Sequence, residues 1–274
     1  MSRTDVRDLA EMSERDDPIA MLTAYDAPTA GLLDDAGVDV LLVGDSAGNL
    51  VLGHDDTTAV TLEEMLTLTG AVVRGSESAM VVGDMPFGAY GADRGASIEN
   101  AARFLKEAGA QAVKLETAPG GERTVALVDH LTELGVPVMG HTGLTPQRVN
   151  EVGGRVVQGR DTAHSASPET LVETAEALAD AGAFAVVLEL VSEPVARRVT
   201  AAVEVPVIGI GAGRHVDGQV LTVSDVLGYG EYELTFDEQY ADVPAVVREA
   251  AADYVADVRS GSFPTADHVF DPEP

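Results

Sequence analysis

The fold is decided by residues Val38–Gly48, which read Val-Asp-Val-Leu-Leu-Val-Gly-Asp-Ser-Ala-Gly. Apart from Asp39, the stretch is an apolar run that leads into Gly44, Asp45 and Ser46. An apolar run bounded by glycine and turn-forming residues is typical of a buried parallel strand. Because an acid and a hydroxyl follow this strand directly, we expect polar groups where it ends.

Four later segments repeat this arrangement, since each is a largely apolar run that ends at an ionisable residue. They are Met80–Gly83 before Asp84, Ala112–Leu115 before Glu116, Val136–Gly140 before His141, and Phe184–Leu188 before Glu189. Polar groups gathered at the carboxyl ends of several buried strands are the arrangement found at the mouth of a (β/α)8 barrel. The sequence therefore predicts an α/β fold, a (β/α)8 TIM barrel.

The order of elements predicts that one barrel domain spans residues 1–274. Eight strand–helix units follow one another with short connections, and such alternation is typical of a parallel sheet. The number of units favours a closed barrel, and no Gly-x-Gly-x-x-Gly segment follows the first strand to indicate a dinucleotide site. Gln219–Val223 is expected to be the eighth strand. We expect a short N-terminal helix within residues 1–17 to close one end of the barrel, and a C-terminal helical tail over Val243–Arg259.

Two local patterns refine this prediction. Thr61 and Glu64 have the spacing of a capping box, which predicts a helix that begins after Thr61. The segment His141–Ser165 is rich in glycine and polar residues, and we expect it to be a long loop. A loop of that length in a compact domain is usually functional or serves as a lid.

The composition limits the possible partners and compartments. A net charge of −29, from 46 acids against 17 bases, excludes nucleic acid as a partner because phosphates would be repelled. No apolar run is long enough to cross a bilayer and no export signal precedes the domain, so we expect a cytoplasmic protein. The absence of cysteine excludes disulfides and thiolate chemistry.

The basic residues are unusual, because only two of them, Lys106 and Lys114, are lysines. An acidic, lysine-poor surface suits a cytoplasm of molar salt, where screening removes most of the self-repulsion. The alternative is an ordinary acidic protein. The scarcity of lysine alongside the excess of acid favours salt adaptation.

Asp45 and Asp84 are candidate metal ligands. If both face the barrel mouth, they offer hard oxygen donors of the kind Mg²⁺ prefers, with water and substrate oxygens completing its octahedron. The alternative is that each caps the helix that follows it, which aspartate does well. Equivalent positions on two strands, beside Glu116 and Glu189, favour the metal site.

Lys114 and Glu116 are two residues apart on one strand, so their side chains point to the same side. We expect both to project inward, although an outward-facing salt bridge would give the same spacing. The scarcity of lysine favours the inward position. An ammonium there could neutralise a substrate carboxylate or a developing oxyanion.

Glu189 is a candidate general base. Apolar residues flank it on both sides, and the desolvation expected there would raise its pKa towards neutrality. The alternative is a buried glutamate paired with an arginine. His141 is expected to hydrogen-bond to site residues rather than to bind a ligand itself. Gly209–Gly213 could bind a phosphate or could let the backbone approach a substrate closely.

A series of segments along the chain forms a specific pattern: Leu42–Ser46, Gly53–Asp55, Asp84–Phe87, Val113–Glu116, Gly140–Gln147, Val157–Arg160, Leu188–Glu189, Pro206–Gly213 and Asp217–Gln219. Together they resemble the ketopantoate hydroxymethyltransferase (3-methyl-2-oxobutanoate hydroxymethyltransferase) family. The resemblance covers Ile19–Gly228 in order and at the family's spacing, and Phe263–His268 also follows it. Two stretches depart from the family: Thr117–Pro119 is inserted, and Glu231–Asp242 is acidic where the family is often basic.

The resemblance implies transfer of a hydroxymethyl group from 5,10-methylenetetrahydrofolate to 3-methyl-2-oxobutanoate, which gives 2-dehydropantoate for pantothenate and coenzyme A synthesis. It further implies one Mg²⁺ per subunit, a small keto acid and a folate as substrates, and a homo-oligomer, the family's decamer. The implied residue roles are metal binding by Asp45, Asp84 and Glu116, substrate binding by Asp45, Ser46, Asp84 and Lys114, and proton abstraction by Glu189.

Two alternative functions share some of these sequence features. The barrel superfamily of isocitrate lyase and phosphoenolpyruvate mutase also combines Mg²⁺ with a strand-end Gly-Asp-Ser, but a lyase of that group needs a reactive cysteine. A metal-binding scaffold without catalysis would tolerate the loss of Glu189, whereas an enzyme would not.

The acidic composition leads to a prediction about salt. At about 0.01 M ionic strength the Debye length is roughly 30 Å and the surface acids repel one another collectively, whereas at about 1 M it is about 3 Å. The melting temperature and the extent of oligomerisation should therefore both rise steeply across a KCl series, as measured by thermal melts and sedimentation. A melting temperature that is flat or falls towards molar KCl would contradict salt adaptation.

Overall fold

Eight parallel strands close into a barrel in the computed structural model, which describes residues 3–230 and 236–270. The predicted (β/α)8 fold is confirmed, because each strand pairs with the next along the chain and the eighth pairs with the first. The strands are Ile19–Thr23 (β1), Val40–Val43 (β2), Met80–Asp84 (β3), Ala112–Glu116 (β4), Val138–Gly143 (β5), Ala185–Glu189 (β6), Val207–Ile210 (β7) and Gly218–Leu221 (β8).

Helices separate successive strands from β1 to β7, whereas the chain runs from β7 to β8 without a helix. The capping box predicted at Thr61 is confirmed, because the Thr61 main-chain N–H donates to Glu64 Oε2 at 2.8 Å and the Glu64 N–H donates back to the Thr61 hydroxyl. A π-helical turn, Phe104–Ala108, extends the fifth helix. The helices are Val6–Glu14 (α1), Ala27–Asp35 (α2), Ala47–Leu50 (α3), Leu62–Gly75 (α4), Arg94–Arg103 (α5), Glu122–Glu133 (α6), Val149–Val152 (α7), Pro168–Asp180 (α8) and Glu193–Ala202 (α9).

Two apolar layers stabilise this part of the chain. Successive side chains of each strand point alternately into one layer and into the other. On β2, Val40 and Leu42 face the barrel interior, whereas Leu41 and Val43 pack against the surrounding helices. Leu9 of α1 is fully buried in the interior layer, so the N-terminal helix packs against the residues that fill the barrel.

Three boundaries differ from the sequence prediction. β5 extends to Gly143, so His141 lies within the strand rather than after it. The segment that follows is not entirely loop, because it contains a 3₁₀ turn at Pro146–Arg148 and α7. β8 begins and ends earlier than Gln219–Val223, since the chain turns into a helix at Val223.

Residues 223–270 form a second compact unit, of which 223–230 and 236–270 are described. It contains a short helix, Val223–Val226 (α10), and a long helix, Val243–Ser260 (α11), in the region where the sequence predicts a helical tail. Part of the acidic stretch, residues 231–235, and the terminal residues 271–274 lie outside the described part of the chain. No helix within the described ranges is long and apolar enough to cross a membrane.

Asp34 at the end of α2 ties this helix to the chain that enters β3. Its carboxylate accepts main-chain hydrogen bonds from Glu77, Ser78 and Ala79 at 2.6–3.1 Å. Partial burial acts to raise the pKa of Asp34. The three donors together lower it by more, so the pKa of Asp34 lies below its ordinary value. The ionised form is therefore favoured by folding.

We expect Asp34→Ala to lower the free energy of unfolding at pH 7 by about 1–3 kcal/mol, because three amide groups lose a charged acceptor. A lowered pKa gives stability that is present above the pKa of the unfolded chain, about 3.9, and is lost as the pH falls through the folded value. The difference between wild type and variant should thus shrink below about pH 4. Urea melts between pH 7 and 3 measure it. The exposed neighbour provides the control, because Asp35→Ala should change little at any pH.

Candidate active site at the barrel mouth

The barrel brings six of the residues singled out in the sequence to one place at the carboxyl ends of its strands. The closed register sets Asp84 beside Lys114, and Glu116 beside His141. We call Asp45, Asp84, Lys114, Glu116, His141 and Glu189 the mouth cluster.

Lys114 and Asp84 form a buried ion pair, with Nζ 2.8 Å from Oδ2. Their exposed fractions are 4% and 1%, so the outward-facing salt bridge considered for Lys114 is wrong. Burial acts to lower the pKa of Lys114, but the surrounding carboxylates, Asp84 first, raise it well above the ordinary value. The ammonium is therefore charged at neutral pH.

Asp45 lies just beyond β2, and its main-chain N–H donates to Asp84 Oδ2 at 3.3 Å. Neither aspartate caps a helix by its side chain. The residue that precedes α3 is Ser46, which makes no side-chain cap, and Asp84 lies inside β3. The helix-capping alternative is therefore wrong for both carboxylates.

The mouth cluster contains four carboxylates and one ammonium. Burial raises the pKa of Asp45 to about 7, and the charge of Asp84 adds to this effect. Burial and then the charge of Asp45 likewise raise the pKa of Glu116 well above its ordinary value. Both pKa shifts have the same cause, because the buried carboxylates together would carry more negative charge than the single ammonium nearby can balance.

His141 lies between the other members of the mouth cluster. Its Nδ1 is 3.3 Å from Lys114 Nζ and 3.7 Å from Glu116 Oε1, and its Nε2 is 3.4 Å from Glu189 Oε2. Burial, followed by the charge of Lys114, lowers the pKa of His141, so the imidazole is neutral at pH 7. Its contacts with site residues agree with the role expected for it.

Glu189 ends β6 and is the most open of the four carboxylates in the mouth cluster. Its side chain is 19% exposed, against 3% for Glu116 and 1% for Asp84. Its Oε2 lies 3.4 Å from His141 Nε2, and no arginine among the described residues forms an ion pair with it. A partly open carboxylate at the mouth can reach a small substrate.

The backbone around Glu189 is unusually constrained. Leu190 has a φ of 47°, in the left-handed region, where a residue other than glycine costs about 1–3 kcal/mol. Gly143 is required opposite, because a Cβ there would collide with the main-chain oxygen of Glu189. The Gln158 N–H donates to the Leu190 carbonyl at 2.7 Å and so attaches the long segment after β5 to this strand end.

Three residues that the sequence did not single out complete the site. The Tyr25 hydroxyl is 2.9 Å from Ser46 Oγ. Gln147 and Tyr90 form hydrogen bonds with Asp45 and Glu116. Gln147 lies in the Gly140–Gln147 segment that carried part of the resemblance, but its residue type alone indicates no chemistry.

A cavity of about 400 Å³ adjoins the mouth. Its lining includes Ala118, Pro119, Gly143, Arg148 and Ser165. Ligand sites commonly fall in this size range.

Gly209–Gly213 leaves β7 and packs against α9. A Cβ at Gly213 would meet the Glu193 side chain at 2.6 Å, and the Glu193 carboxylate forms an ion pair with Arg214 at 2.9 Å. The absence of a side chain at Gly213 therefore allows this segment to pack closely against α9.

The mouth cluster has the donor chemistry of a divalent-cation site. Asp84 Oδ1 is buried and has no hydrogen-bond partner among the described residues, and carboxylate oxygens are hard donors. Within residues 3–230 and 236–270, no three His, Asp or Glu side chains surround one point closely enough to hold a metal by themselves. One or two carboxylates with water and substrate oxygens suit Mg²⁺, so the residues fit such an ion.

Comparisons with known proteins agree with this geometry. The sequence model of the ketopantoate hydroxymethyltransferase family matches residues 3–266. The chain is 51% identical to the 3-methyl-2-oxobutanoate hydroxymethyltransferase of Halobacterium salinarum, over 96% of this chain and 94% of that one. It is 52% identical to the enzyme of that name from Haloarcula marismortui, over 96% and 95%, and 51% identical to that of Carboxydothermus hydrogenoformans, over 98% and 96%.

Solved structures share the fold at low sequence identity. A phosphonopyruvate hydrolase matches with a TM-score of 0.63 at 13% identity, over 99% of this chain and 92% of that one. A 2,3-dimethylmalate lyase of the PEP mutase/isocitrate lyase superfamily matches with 0.61 at 17%, over 99% and 93%. The superfamily weighed above as the alternative thus has the same barrel, but the sequence relationship identifies the function. The chain belongs to the ketopantoate hydroxymethyltransferase family, which carries out the hydroxymethyl transfer to 3-methyl-2-oxobutanoate in pantothenate synthesis.

Proposed function

We propose that the mouth cluster binds 3-methyl-2-oxobutanoate and that Glu189 removes the proton from its C3. The observation that carries this proposal is the buried ammonium of Lys114 beside partly open Glu189, with His141 touching both. Lys114 and Ser46 would bind the carboxylate and keto oxygens of the substrate. The carbon that loses its proton then attacks the methylene carbon of the co-substrate, and a C–C bond forms. In the net reaction, the two C–N bonds of that methylene carbon break, water supplies the hydroxyl oxygen, and tetrahydrofolate leaves with the protons from C3 and from water on its two nitrogens.

The roles of the neighbouring groups follow from their contacts. The Tyr25 hydroxyl holds the Ser46 side chain at 2.9 Å, which fixes the direction in which Ser46 can contact substrate. His141 Nε2 lies 3.4 Å from Glu189 Oε2 and would limit the positions that the proton-accepting carboxylate can take.

The metal is proposed to be Mg²⁺, held by Asp45, Asp84 and Glu116. Asp84 Oδ1 supports this assignment as a buried oxygen without a partner among the described residues. A bound Mg²⁺ would supply positive charge that favours ionisation of the keto acid.

The co-substrate is proposed to be 5,10-methylenetetrahydrofolate, bound in the cavity beside the mouth. The cavity is lined by Gly143, which pairs with Glu189 in the sheet, so a ring bound there would lie close to the base. The inserted residues Ala118 and Pro119 form part of its wall and would adapt it to this chain's own donor.

The protein is further proposed to be a cytoplasmic homo-oligomer, the decamer that the family resemblance implies, adapted to high salt. Two of the relatives named above come from halophilic archaea, which supports the adaptation. Within the second unit, α11 has no buried residue and exposes Val246, Tyr254 and Val258, an apolar surface that another subunit would cover. Sedimentation in molar KCl distinguishes an oligomer from a monomer of 28.4 kDa.

The transferase reaction is tested first by ketopantoate formation from the keto acid and methylenetetrahydrofolate, with and without EDTA. We expect Glu189→Gln to bind keto acid while losing turnover about 10²–10⁴-fold, because the amide keeps the shape but cannot accept a proton. Deuterium exchange at C3 of 3-methyl-2-oxobutanoate isolates this step without folate. Exchange at the wild-type rate in the variant would remove Glu189 from the role.

The metal ligands are tested separately. Asp45→Asn and Asp84→Asn should each weaken Mg²⁺ binding, because a neutral amide offers the cation less charge at the same distance. Titration calorimetry with keto acid present measures the affinity, and Asp39→Asn at the other end of β2 is the matched control. Unchanged affinity in both site variants would refute the assignment of these two ligands.

A further inference from the structure

Gln147 connects the turn after β5 to the ends of three other strands at the barrel mouth, and it is only 5% exposed. Its side-chain Nε2 donates to Asp45 Oδ2 at 2.9 Å and to the Met85 carbonyl at 3.0 Å. Its main-chain N–H donates to Glu116 Oε2 at 3.0 Å. The 3₁₀ turn that follows β5 is thereby attached to the ends of β2, β3 and β4.

Tyr90 fixes which way the Gln147 amide points. The Tyr90 hydroxyl donates to Gln147 Oε1 at 2.8 Å and accepts a hydrogen bond from the Glu116 main-chain N–H at 3.1 Å. A flipped amide would set its oxygen against Asp45 Oδ2 and the Met85 carbonyl, both of which are acceptors. The amide therefore has one satisfied orientation, and its hydrogens face the carboxylate.

The neutrality of Gln147 matters because of the charge of the mouth cluster. Lysine or arginine at position 147 would also hold Asp45, but it would cancel negative charge that a divalent cation requires. An amide restricts the rotation of the carboxylate and leaves its charge in place. Gln147 engages one oxygen of Asp45 and one of Glu116, so the second oxygen of each is free of the glutamine.

We propose that Gln147 is a positioning residue for the divalent cation, and that Tyr90 acts through it by holding the amide. Gln147 sets the orientation of Asp45 by its side chain and that of Glu116 by its main chain. This inference deepens the proposed function and rests on it in one respect, that Asp45 and Glu116 are taken as ligands of the metal.

The test is a titration of MgCl2 into substrate-free protein by calorimetry. Gln147→Met keeps the length and apolar volume of the side chain but removes its hydrogen bonds, and we expect the Kd for Mg²⁺ to rise about 10- to 100-fold. Tyr90→Phe removes the hydroxyl that orients the amide and that also contacts the Glu116 main chain, but it leaves in place the groups by which Gln147 binds Asp45 and Glu116, so its Kd should rise less. Because Tyr90 acts through Gln147, the double variant should bind Mg²⁺ no more weakly than Gln147→Met alone.

Gln111 provides the matched control. It also bridges β3 and β4, because its Oε1 accepts from the Val81 N–H at 2.8 Å and its Nε2 donates to the Gly109 carbonyl at 2.8 Å, but it lies at the opposite ends of these strands. Gln111→Met should lower the melting temperature without changing the Kd for Mg²⁺. A purely structural role for Gln147 would make both methionine variants alike, with lower melting temperatures and unchanged Kd values.

The outcomes separate this inference from the proposed function. An unchanged Kd in Gln147→Met and Tyr90→Phe, or a wild type that takes up no Mg²⁺, overturns the positioning role. A wild type that binds Mg²⁺ but forms no ketopantoate refutes the transferase proposal instead. If Gln147→Met does not fold, Tyr90→Phe alone decides, because its side chain keeps its packing and loses only the hydroxyl.

Discussion

The Asp84–Lys114 ion pair is the interaction on which the mouth of the barrel depends. Both groups are buried, and the loss of one partner from such a pair typically costs about 3–5 kcal/mol because the other charge stays uncompensated. The pair exists because the closed register sets the end of β3 beside the middle of β4. Lys114 is the only ammonium in the mouth cluster, and the remaining carboxylates therefore require hydrogen bonds or a further cation. The chemistry of the site follows from that unbalanced charge.

The structure could be predicted from the sequence wherever a local pattern of residues is compatible with only one arrangement of the chain. Apolar runs ending at Asp45, Asp84, Glu116 and Glu189 predicted strands of a parallel barrel, and carboxyl ends of such strands meet at one edge. The two-residue spacing of Lys114 and Glu116 predicted that they share a face, and only the closed barrel could show that this face is the interior. The helix-capping alternative required a side-chain bond to the following helix, which neither aspartate makes.

Contacts between distant segments could not be derived from the same patterns. Gln147 contacts Asp45 across 102 positions and Tyr90 across 57, and these pairings depend on the path of the chain after β5. A glutamine and a tyrosine in loop segments carry no spacing signal, so their role becomes visible only once the barrel brings the strand ends together. The constrained backbone at Leu190 is likewise a product of the tertiary structure, since leucine has no preference for a positive φ.

Salt screens the exposed charges of this acidic chain much more strongly than the buried ones. In molar salt the Debye length is about 3 Å, so exposed carboxylates act only on near neighbours, but buried groups are screened much less. A salty solvent therefore relieves the repulsion among surface acids without relieving that within the mouth cluster. The buried carboxylates must be balanced by groups that the fold itself supplies, among them Lys114, the Gln147 amide and main-chain N–H donors. Salt cannot replace the ammonium at position 114, and that is why a chain with only two lysines keeps one of them inside a strand.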